Sequence, residues 1–226
     1  MSTLLLAPPL SASAGEQFAY WWNVPGDWVE APNERRNGWS GVLRVRHHGR
    51  IVFVKRQRNH LCRSLLHPLG RPTVSREYAN LHRLNALGIT VPVPLYHGLF
   101  RGPAGMEAVL VTDELRGFSP LCAQRDLSVG RRAVLASGIG QVLGRLHRSR
   151  LQHGCLYDKH VMVRWQEHRP EIALIDLEKM RRRATRIAAA RHDLDQLWRH
   201  QTLWSELEWR LLEHSHADAL HGRIPG

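Results

Sequence analysis

Between Ser75 and Leu87 the apolar positions Tyr78, Leu81, Leu84 and Leu87 return every third residue, which predicts one side of a helix, and Gly88, Pro92 and Pro94 mark its end. The strongest helical pattern covers 129–149: Val134, Leu135, Ile139, Val142, Leu143 and Leu146 recur at three and four, and Ser128 stands as the N-cap. Shorter runs read as strands. Gly41–Arg46 and Arg50–Lys55, the latter built on Ile51-Val52-Phe53-Val54, form a hairpin through His48-Gly49. Further strands fit Pro94–Leu99, Ala108–Val111, Val161–Val163 and Ile172–Ile175, with a polar turn over 166–170 between the last two. The C-terminal remainder is predicted to be helical, with Leu194, Leu197, Trp198, Leu207, Leu211 and Leu212 at core spacing. The first 20 residues carry little pattern, and the next 18 are dense in Trp, Pro, Gly and Asn.

At Ala108–Leu115 the chain passes abruptly from apolar to acidic and then reaches Gly117 and Pro120, which predicts a lobe boundary near 113–120. The expected organisation is an extension over 1–20, a first lobe over 21–116 and a second over 117–226. A chain of 226 residues suits two small lobes sharing one fold. Its 32 Lys and Arg against 20 Asp and Glu give a formal charge of +12, so the expected partners are anionic: nucleic acid, a membrane surface or acidic substrates. Hydrophobic residues at 43% describe an ordinary globular protein, and no apolar run approaches the roughly 20 residues of a membrane-crossing helix. Three scattered cysteines, Cys62, Cys122 and Cys155, suit a reducing compartment. The start Met1–Pro9 lacks a basic flank and a sustained apolar stretch, so export is not expected.

The order of the parts carries more than any one motif. A glycine-containing hairpin leads to Lys55 at a strand end and Glu77 near a helix start. A linker, a long helix, a His-containing loop and Asp176 at a second strand end follow. This is the order of a protein-kinase-like fold, in which the Lys–Glu pair holds nucleotide phosphates and the late Asp holds Mg²⁺. The predicted class is α+β: a small antiparallel β lobe with one helix, then a reduced, mainly helical C-terminal lobe.

Three stretches sharpen this: Trp28–Val42, Asn59–Thr73 and Gln152–His160, the last reading Gln152-His153-Gly154-Cys155-Leu156-Tyr157-Asp158-Lys159-His160. They resemble the InaA-like branch of the Kdo/WaaP lipopolysaccharide kinase family, over about residues 20–215. The resemblance implies a protein-kinase-like fold, ATP and Mg²⁺ as cofactors, and phosphorylation of lipopolysaccharide-core sugars. It also implies a cytoplasmic protein, peripheral at the inner membrane.

Residue by residue, Lys55 follows four apolar positions and is expected over the α- and β-phosphates, oriented by Glu77; a solvated strand-end lysine and an ordinary helix-start glutamate are the plainer readings. Gly38 and Gly41, with Asn37 and Ser40, are expected to turn backbone N–H groups toward phosphate, and Arg35 and Arg36 to assist or to form a solvated basic turn. Asp113, Glu114 and Leu115 fall where the linker would border the nucleotide. Asp176, in Leu174-Ile175-Asp176-Leu177-Glu178-Lys179, is a hard oxygen ligand placed for Mg²⁺, with Glu178 assisting or facing solvent. In kinases His-Arg-Asp opens the catalytic loop, with Asn five residues after the Asp. Here His153-Gly154-Cys155 fills the first three places, so Cys155 stands at the catalytic aspartate position, and His160 fills the last, the second-metal place, where it would help Asp176 hold Mg²⁺ as a softer imidazole ligand or hydrogen-bond Asp176 or the loop. A thiol is a poor hydrogen-bond acceptor, and Asp158 is the nearby carboxylate that would orient an acceptor hydroxyl. Asp193 matches the family's late Asp-Leu pattern, which implies anchoring of the catalytic loop.

Two other readings of that loop are a zinc centre of His153, Cys155 and His160, which is one ligand short of a closed site, and a Cys155 nucleophile, which lacks an oxyanion hole. Arg181, Arg182, Arg183, Arg186 and Arg191 follow Asp176 where a kinase presents its acceptor, and are read either as a grip on an anionic glycolipid or as a solvated face. Leu61, Leu65, Leu66 and Leu69 with Arg63 and Arg71 form an amphipathic stretch that would rest on a membrane or cover the small lobe. The leading expectation is ATP-dependent phosphorylation of a hydroxyl on a lipopolysaccharide core or other anionic glycolipid. A pseudokinase scaffold, motivated by Cys155, is the alternative. Nucleic acid is a third partner class resting on charge alone.

Overall fold

The computed structural model describes residues 12–35, 38–64 and 67–223. Two compact units result: Met1–Ala79 with Val93–Glu114, and Asn80–Pro92 with Leu115–Gly226. The first unit opens with α1 (Ala14–Asn23), a helix in a stretch whose sequence shows little pattern. Its signal is a capping box: the Ser13 hydroxyl accepts the Glu16 N–H while Glu16 accepts the Ser13 N–H at 2.7 Å. Strands β1 (Asp27–Arg35), β2 (Gly38–His47) and β3 (Arg50–Arg58) follow, and then a small hairpin of β4 (Leu61–Ser64) and β5 (His67–Pro72). Helix α2 (Thr73–Ala86) precedes β6 (Pro94–Gly102) and β7 (Gly105–Asp113).

Five strands form one antiparallel sheet in the order β1-β2-β3-β7-β6. The turn between β2 and β3 is His48-Gly49, both with positive φ (47° and 75°), the twist a two-residue hairpin needs. Strand alternation then sorts the faces. Val52 and Val54 enter a core with Leu43, Val45, Val109 and Val111, covered by Phe18, Tyr20 and Trp21 of α1. Strand β3 runs three residues beyond Lys55, so this lysine lies within the strand rather than at its end. On the other side, the buried Gln57 amide donates to Thr73 Oγ1 at 2.7 Å and its oxygen accepts the Val74 N–H at 3.1 Å. That pair of bonds ties the start of α2 to β3.

The second unit begins inside α2, where the sequence predicts a boundary only near 113–120. Asn80 donates to the carbonyls of Leu177 (2.9 Å) and Met180 (3.2 Å), and Leu174 N–H bonds Thr90 O. These partners lie 84 or more positions away, beyond any local signal. The unit contains β8 (Ser119–Pro120), α3 (Val129–Arg148), β9 (Leu151–Gln152), β10 (Val161–Gln166), β11 (Arg169–Leu174), β12 (Arg181–Arg182), α4 (Arg186–His200) and α5 (Glu206–His221). Ser128 caps α3 through the Arg131 N–H. Four core expectations fail: Val134 is 46% exposed, Trp198 39%, Leu207 72% and Leu211 40%. The rest of the predicted α3 stripe, Leu135, Ile139, Val142, Leu143 and Leu146, is buried, and it is widened by Ala136 and by Gly140 and Gly144, where α5 comes close. Glu208 takes the inward place beside Leu207, paired with Arg132 at 2.6 Å.

Arg36, Asn37, Leu65 and Leu66 lie outside the described residues, as do the side chains of Arg35, Arg63 and Leu69. Among the described residues no helix is long and apolar enough to cross a membrane.

A Cβ at Gly140 would fall inside contact distance of the Leu212 carbonyl, and one at Gly144 would lie 2.5 Å from His216 O. Gly140→Ala is therefore expected to push α5 off α3 and to lower unfolding free energy by about 1–3 kcal/mol, measured by urea denaturation. An unchanged midpoint would contradict this packing.

Candidate active site

In the first unit, Lys55 and Glu77 meet. The sheet face opposite α1 carries Lys55, and the Gln57 bonds hold α2 so that Glu77 Oε2 accepts from Lys55 Nζ at 2.9 Å, with both side chains largely buried. Gly38 and Gly41 belong to β2, paired with Arg35 and Arg56, and do not form an open loop. Their small size has another cause: a Cβ at Gly41 would sit 2.6 Å from the Trp28 ring, and one at Gly38 2.5 Å from Asn59 O. Asp113 closes β7, its N–H bonded to Val93 O, and the Glu114 N–H donates to Ile51 O at 3.2 Å. Leu115 opens the second segment of the second unit.

In the second unit the loop after β9 is held by Asp193 of α4. One carboxylate oxygen accepts the His153 N–H at 2.6 Å and the other the Gly154 N–H at 2.9 Å; His147 Nε2 lies 3.1 Å from the first. Burial pushes the Asp193 carboxyl up, but the His147 hydrogen bond and the backbone N–H groups outweigh it and hold the group below its ordinary range. Behind it, His147 Nδ1 is 2.8 Å from His216 Nε2. Because a carboxylate only accepts, His147 Nε2 carries the hydrogen of the bond to Asp193. The chain of bonds runs His216, His147, Asp193, loop.

His153 is fully buried, which holds its imidazole below the usual range. Its Nε2 donates to Ile175 O at 3.0 Å while Nδ1 accepts the Cys155 N–H, so this ring joins the loop to the residue before Asp176. Asp176 itself follows β11 in the left-handed conformation, φ 59° and ψ 57°, a strained state that the surrounding bonds hold. His160 Nδ1 donates to Cys155 O at 2.7 Å, which turns Nε2 toward Asp176 Oδ2, 3.6 Å away. Cys155 Sγ completes the group: the three ligand atoms lie within 4.8 Å of one another. Burial, and then the Asp176 charge, push the Cys155 thiol up, while Lys179, with Nζ 3.7 Å from Sγ, pulls it down.

Asp158 lies elsewhere. Its carboxylate accepts the Lys159 N–H at 2.8 Å and lines a separate cavity of about 220 Å³ with Leu121, Gln124, Arg125, Gln201 and Leu203. Arg181 and Arg182 form β12 against β9 and are exposed, as is Arg186, while Arg183 is half-buried with its N–H on Arg150 O. Sequence reasoning missed His147 and His216, since histidines at helix spacing carry no signal of a buried bond.

The solved structures that the chain resembles define its class. A structure of WaaP in complex with acyl carrier protein matches with a TM-score of 0.68 at 20% identity, over 88% of this chain and 81% of that one. The Rio2 kinase–ADP/Mg²⁺–phosphoaspartate complex from Chaetomium thermophilum matches with a TM-score of 0.53 at 13% identity, over 93% and 73%. The fold is kinase-like. At the level of sequence, residues 19–215 match the Lipopolysaccharide kinase (Kdo/WaaP) family, and the chain belongs to that family. Protein InaA of Escherichia coli (strain K12) is 36% identical over 200 residues, 86% of this chain and 92% of that protein.

The histidine chain makes stability pH-dependent. Burial, His147 and His221 depress His216 to about 4 from 6.5, so the unfolded chain binds the extra proton between those values. Its contribution is complete above about pH 6.5 and is lost as pH falls toward about 4, at ~1.4 kcal/mol per pH unit; His153 acts in the same direction. In His216→Gln, the drop in unfolding free energy between about pH 7 and about pH 5 is expected to shrink by about 2 kcal/mol. Equal drops in both proteins would refute the assignment.

Proposed function

We propose that the protein transfers the γ-phosphoryl group of ATP to a hydroxyl of an anionic glycolipid, a lipopolysaccharide-core sugar in the first instance. The observation that carries the reading is the buried Lys55–Glu77 pair at 2.9 Å, in a chain of the lipopolysaccharide kinase family. Such a pair fixes an ammonium where it can meet the α- and β-phosphates. Asp176 is the hard oxygen donor that would hold Mg²⁺, completed by phosphate oxygens and water; that ion would neutralise charge developing on the phosphates. In the transfer, the bond from the γ-phosphorus to the bridging oxygen breaks, a bond to the acceptor oxygen forms, and the hydroxyl proton passes to a base. Asp158 is the nearby carboxylate, and to orient that hydroxyl it would have to turn from the Lys159 N–H toward the Cys155, His160 and Asp176 cluster. The exposed Arg181, Arg182 and Arg186 would bind the anionic acceptor.

A second reading is favoured by Cys155. A thiol pushed up by burial stands where kinases carry aspartate, and Asp158 lies outside its cluster. That arrangement suits nucleotide binding without transfer.

The test offers radiolabelled Mg²⁺–ATP and purified lipopolysaccharide to the full chain. Transfer of label to the glycolipid is expected, lowered about 10²–10³-fold in Asp176→Asn and in Asp158→Asn. Nucleotide binding with no label on any offered acceptor supports the second reading, and absence of nucleotide binding overturns both. The combined Arg181→Ala, Arg182→Ala and Arg186→Ala variant is expected to raise KM for the glycolipid about tenfold or more while leaving kcat within about twofold, with reduced salt sensitivity. A fall in kcat at constant KM would remove these arginines from acceptor binding.

A further inference from the structure

The structure assigns Cys155, His160 and Asp176 a second capacity: a site for one soft divalent transition ion, of which Zn²⁺ is the physiological type, with three protein ligands and an open fourth position. The donors are a thiol sulfur, an imidazole nitrogen and a carboxylate oxygen. Mg²⁺ takes oxygen ligands and has use for one of these; a thiolate and an imidazole favour Zn²⁺ or Co²⁺.

The geometry supports a tetrahedral ion. Zinc–ligand lengths of about 2.0–2.3 Å put neighbouring ligands of a tetrahedron roughly 3.3–3.7 Å apart. His160 Nε2 and Asp176 Oδ2 already stand 3.6 Å apart, and all three ligand atoms lie within 4.8 Å of one another. Closing the sulfur onto the other two therefore requires a movement of about 1 Å or so, which a thiol rotor and a half-exposed carboxylate can supply. The orientation of the histidine is fixed in advance. Its Nδ1–H is committed to Cys155 O at 2.7 Å, so Nε2 is the nitrogen presented to the ion, the outer bond that metal-binding histidines commonly make. His153, donating to Ile175 O, fixes the backbone before Asp176 in the same way. Lys179 Nζ, 3.7 Å from Sγ, can remain a hydrogen-bond donor to the metal-bound thiolate.

Binding exchanges the thiol hydrogen for the ion: an S–H bond breaks, a metal–sulfur bond forms, and the proton leaves to the buffer. Zinc binding itself is independent of the nucleotide reading. The consequence for activity rests on it: Asp176 cannot serve the soft ion and the nucleotide's Mg²⁺ together, so Zn²⁺ and Mg²⁺–ATP should compete.

The experiment titrates the full metal-free chain with Co²⁺ and then Zn²⁺, following absorption. One Co²⁺ per chain is expected, with a thiolate-to-cobalt charge-transfer band in the near ultraviolet and the strong visible bands of a tetrahedral ion. Zn²⁺ should abolish both. Cys155→Ser should lose the charge-transfer band and weaken Zn²⁺ binding about 100-fold or more, and His160→Gln and Asp176→Asn should weaken it by similar factors. A Cys62→Ser, Cys122→Ser double variant, which keeps the site intact, should titrate like the parent. Thermal unfolding of each metal-free variant separates lost ligation from lost folding. Persistence of the band in Cys155→Ser, or its loss in the double variant, overturns the assignment, as does failure of the folded parent to take up stoichiometric Co²⁺. Release of Co²⁺ by Mg²⁺–ATP supports the shared use of Asp176. Retention of the ion at saturating Mg²⁺–ATP, with the band intact, upholds the metal site and counts against the nucleotide reading.

Discussion

A buried carboxylate organises the second unit. Asp193 is wholly shielded from solvent, and a charge in that position persists only if hydrogen bonds replace its water shell. The replacements are the N–H groups of His153 and Gly154 and the ring of His147, so the loop must follow one path for the carboxylate to be satisfied. Once that path is set, His153 reaches Ile175 O, Gln196 accepts the Leu156 N–H at 2.7 Å, and His160 folds back onto Cys155 O. Each of these bonds fixes an atom of the Cys155, His160 and Asp176 cluster. The geometry of the candidate site is thus a consequence of solvating one charge without water.

The first unit solves a different problem by similar means. Lys55 lies on a strand whose other face is apolar, and the strand's alternation is enough to turn it toward α2. What aligns α2 is the buried Gln57 amide, which uses both its donor and its acceptor on the helix start. Replacing that amide by an apolar group would leave the helix its packing but remove the register that brings Glu77 to Lys55. The ion pair and the polar anchor two residues along β3 are therefore parts of one device.

Much of this was legible in the sequence wherever the information was local. The hairpin at His48-Gly49, α2, α3 with its Ser128 cap, the β10–β11 hairpin and the order Lys55, Glu77, Asp176 all follow from spacing, turn chemistry and motif order. The Asp193 anchor was implied by the family pattern. What escaped depends on contacts between distant positions. Helix α1 is stabilised by a sheet that the first 20 residues do not announce. Residues 80–92 belong to the second unit through Asn80 and Thr90, whose partners lie about 90 positions on. Val134 and Leu207 have core spacing yet are exposed, while α5 comes nearest α3 at Gly140 and Gly144, two positions without a hydrophobic signal. A glycine contributes nothing to a hydrophobic pattern and everything to how near two helices can come.

The cysteine at the kinase aspartate position acquires meaning from the same reasoning. Viewed along the chain, Cys155 is a lost carboxylate, and the nearby Asp158 is its natural substitute. The loop path imposed by Asp193 separates the two: Cys155 joins His160 and Asp176, whereas Asp158 turns to the Lys159 N–H and a different cavity. A carboxylate at position 155 would stand beside Asp176 and repel it, a cost that kinases offset with metal ions and hydrogen bonds. A protonated thiol brings no such repulsion, and Lys179 sits close enough to stabilise it if it ionises. The substitution therefore makes the cluster self-consistent without a bound cation, at the expense of a hydrogen-bond acceptor for an incoming hydroxyl. Together with His160 at the kinase Asn position, it also turns an all-oxygen environment into one containing sulfur and nitrogen, so the choice of ion becomes a property of this chain's own residues rather than of the kinase-like fold.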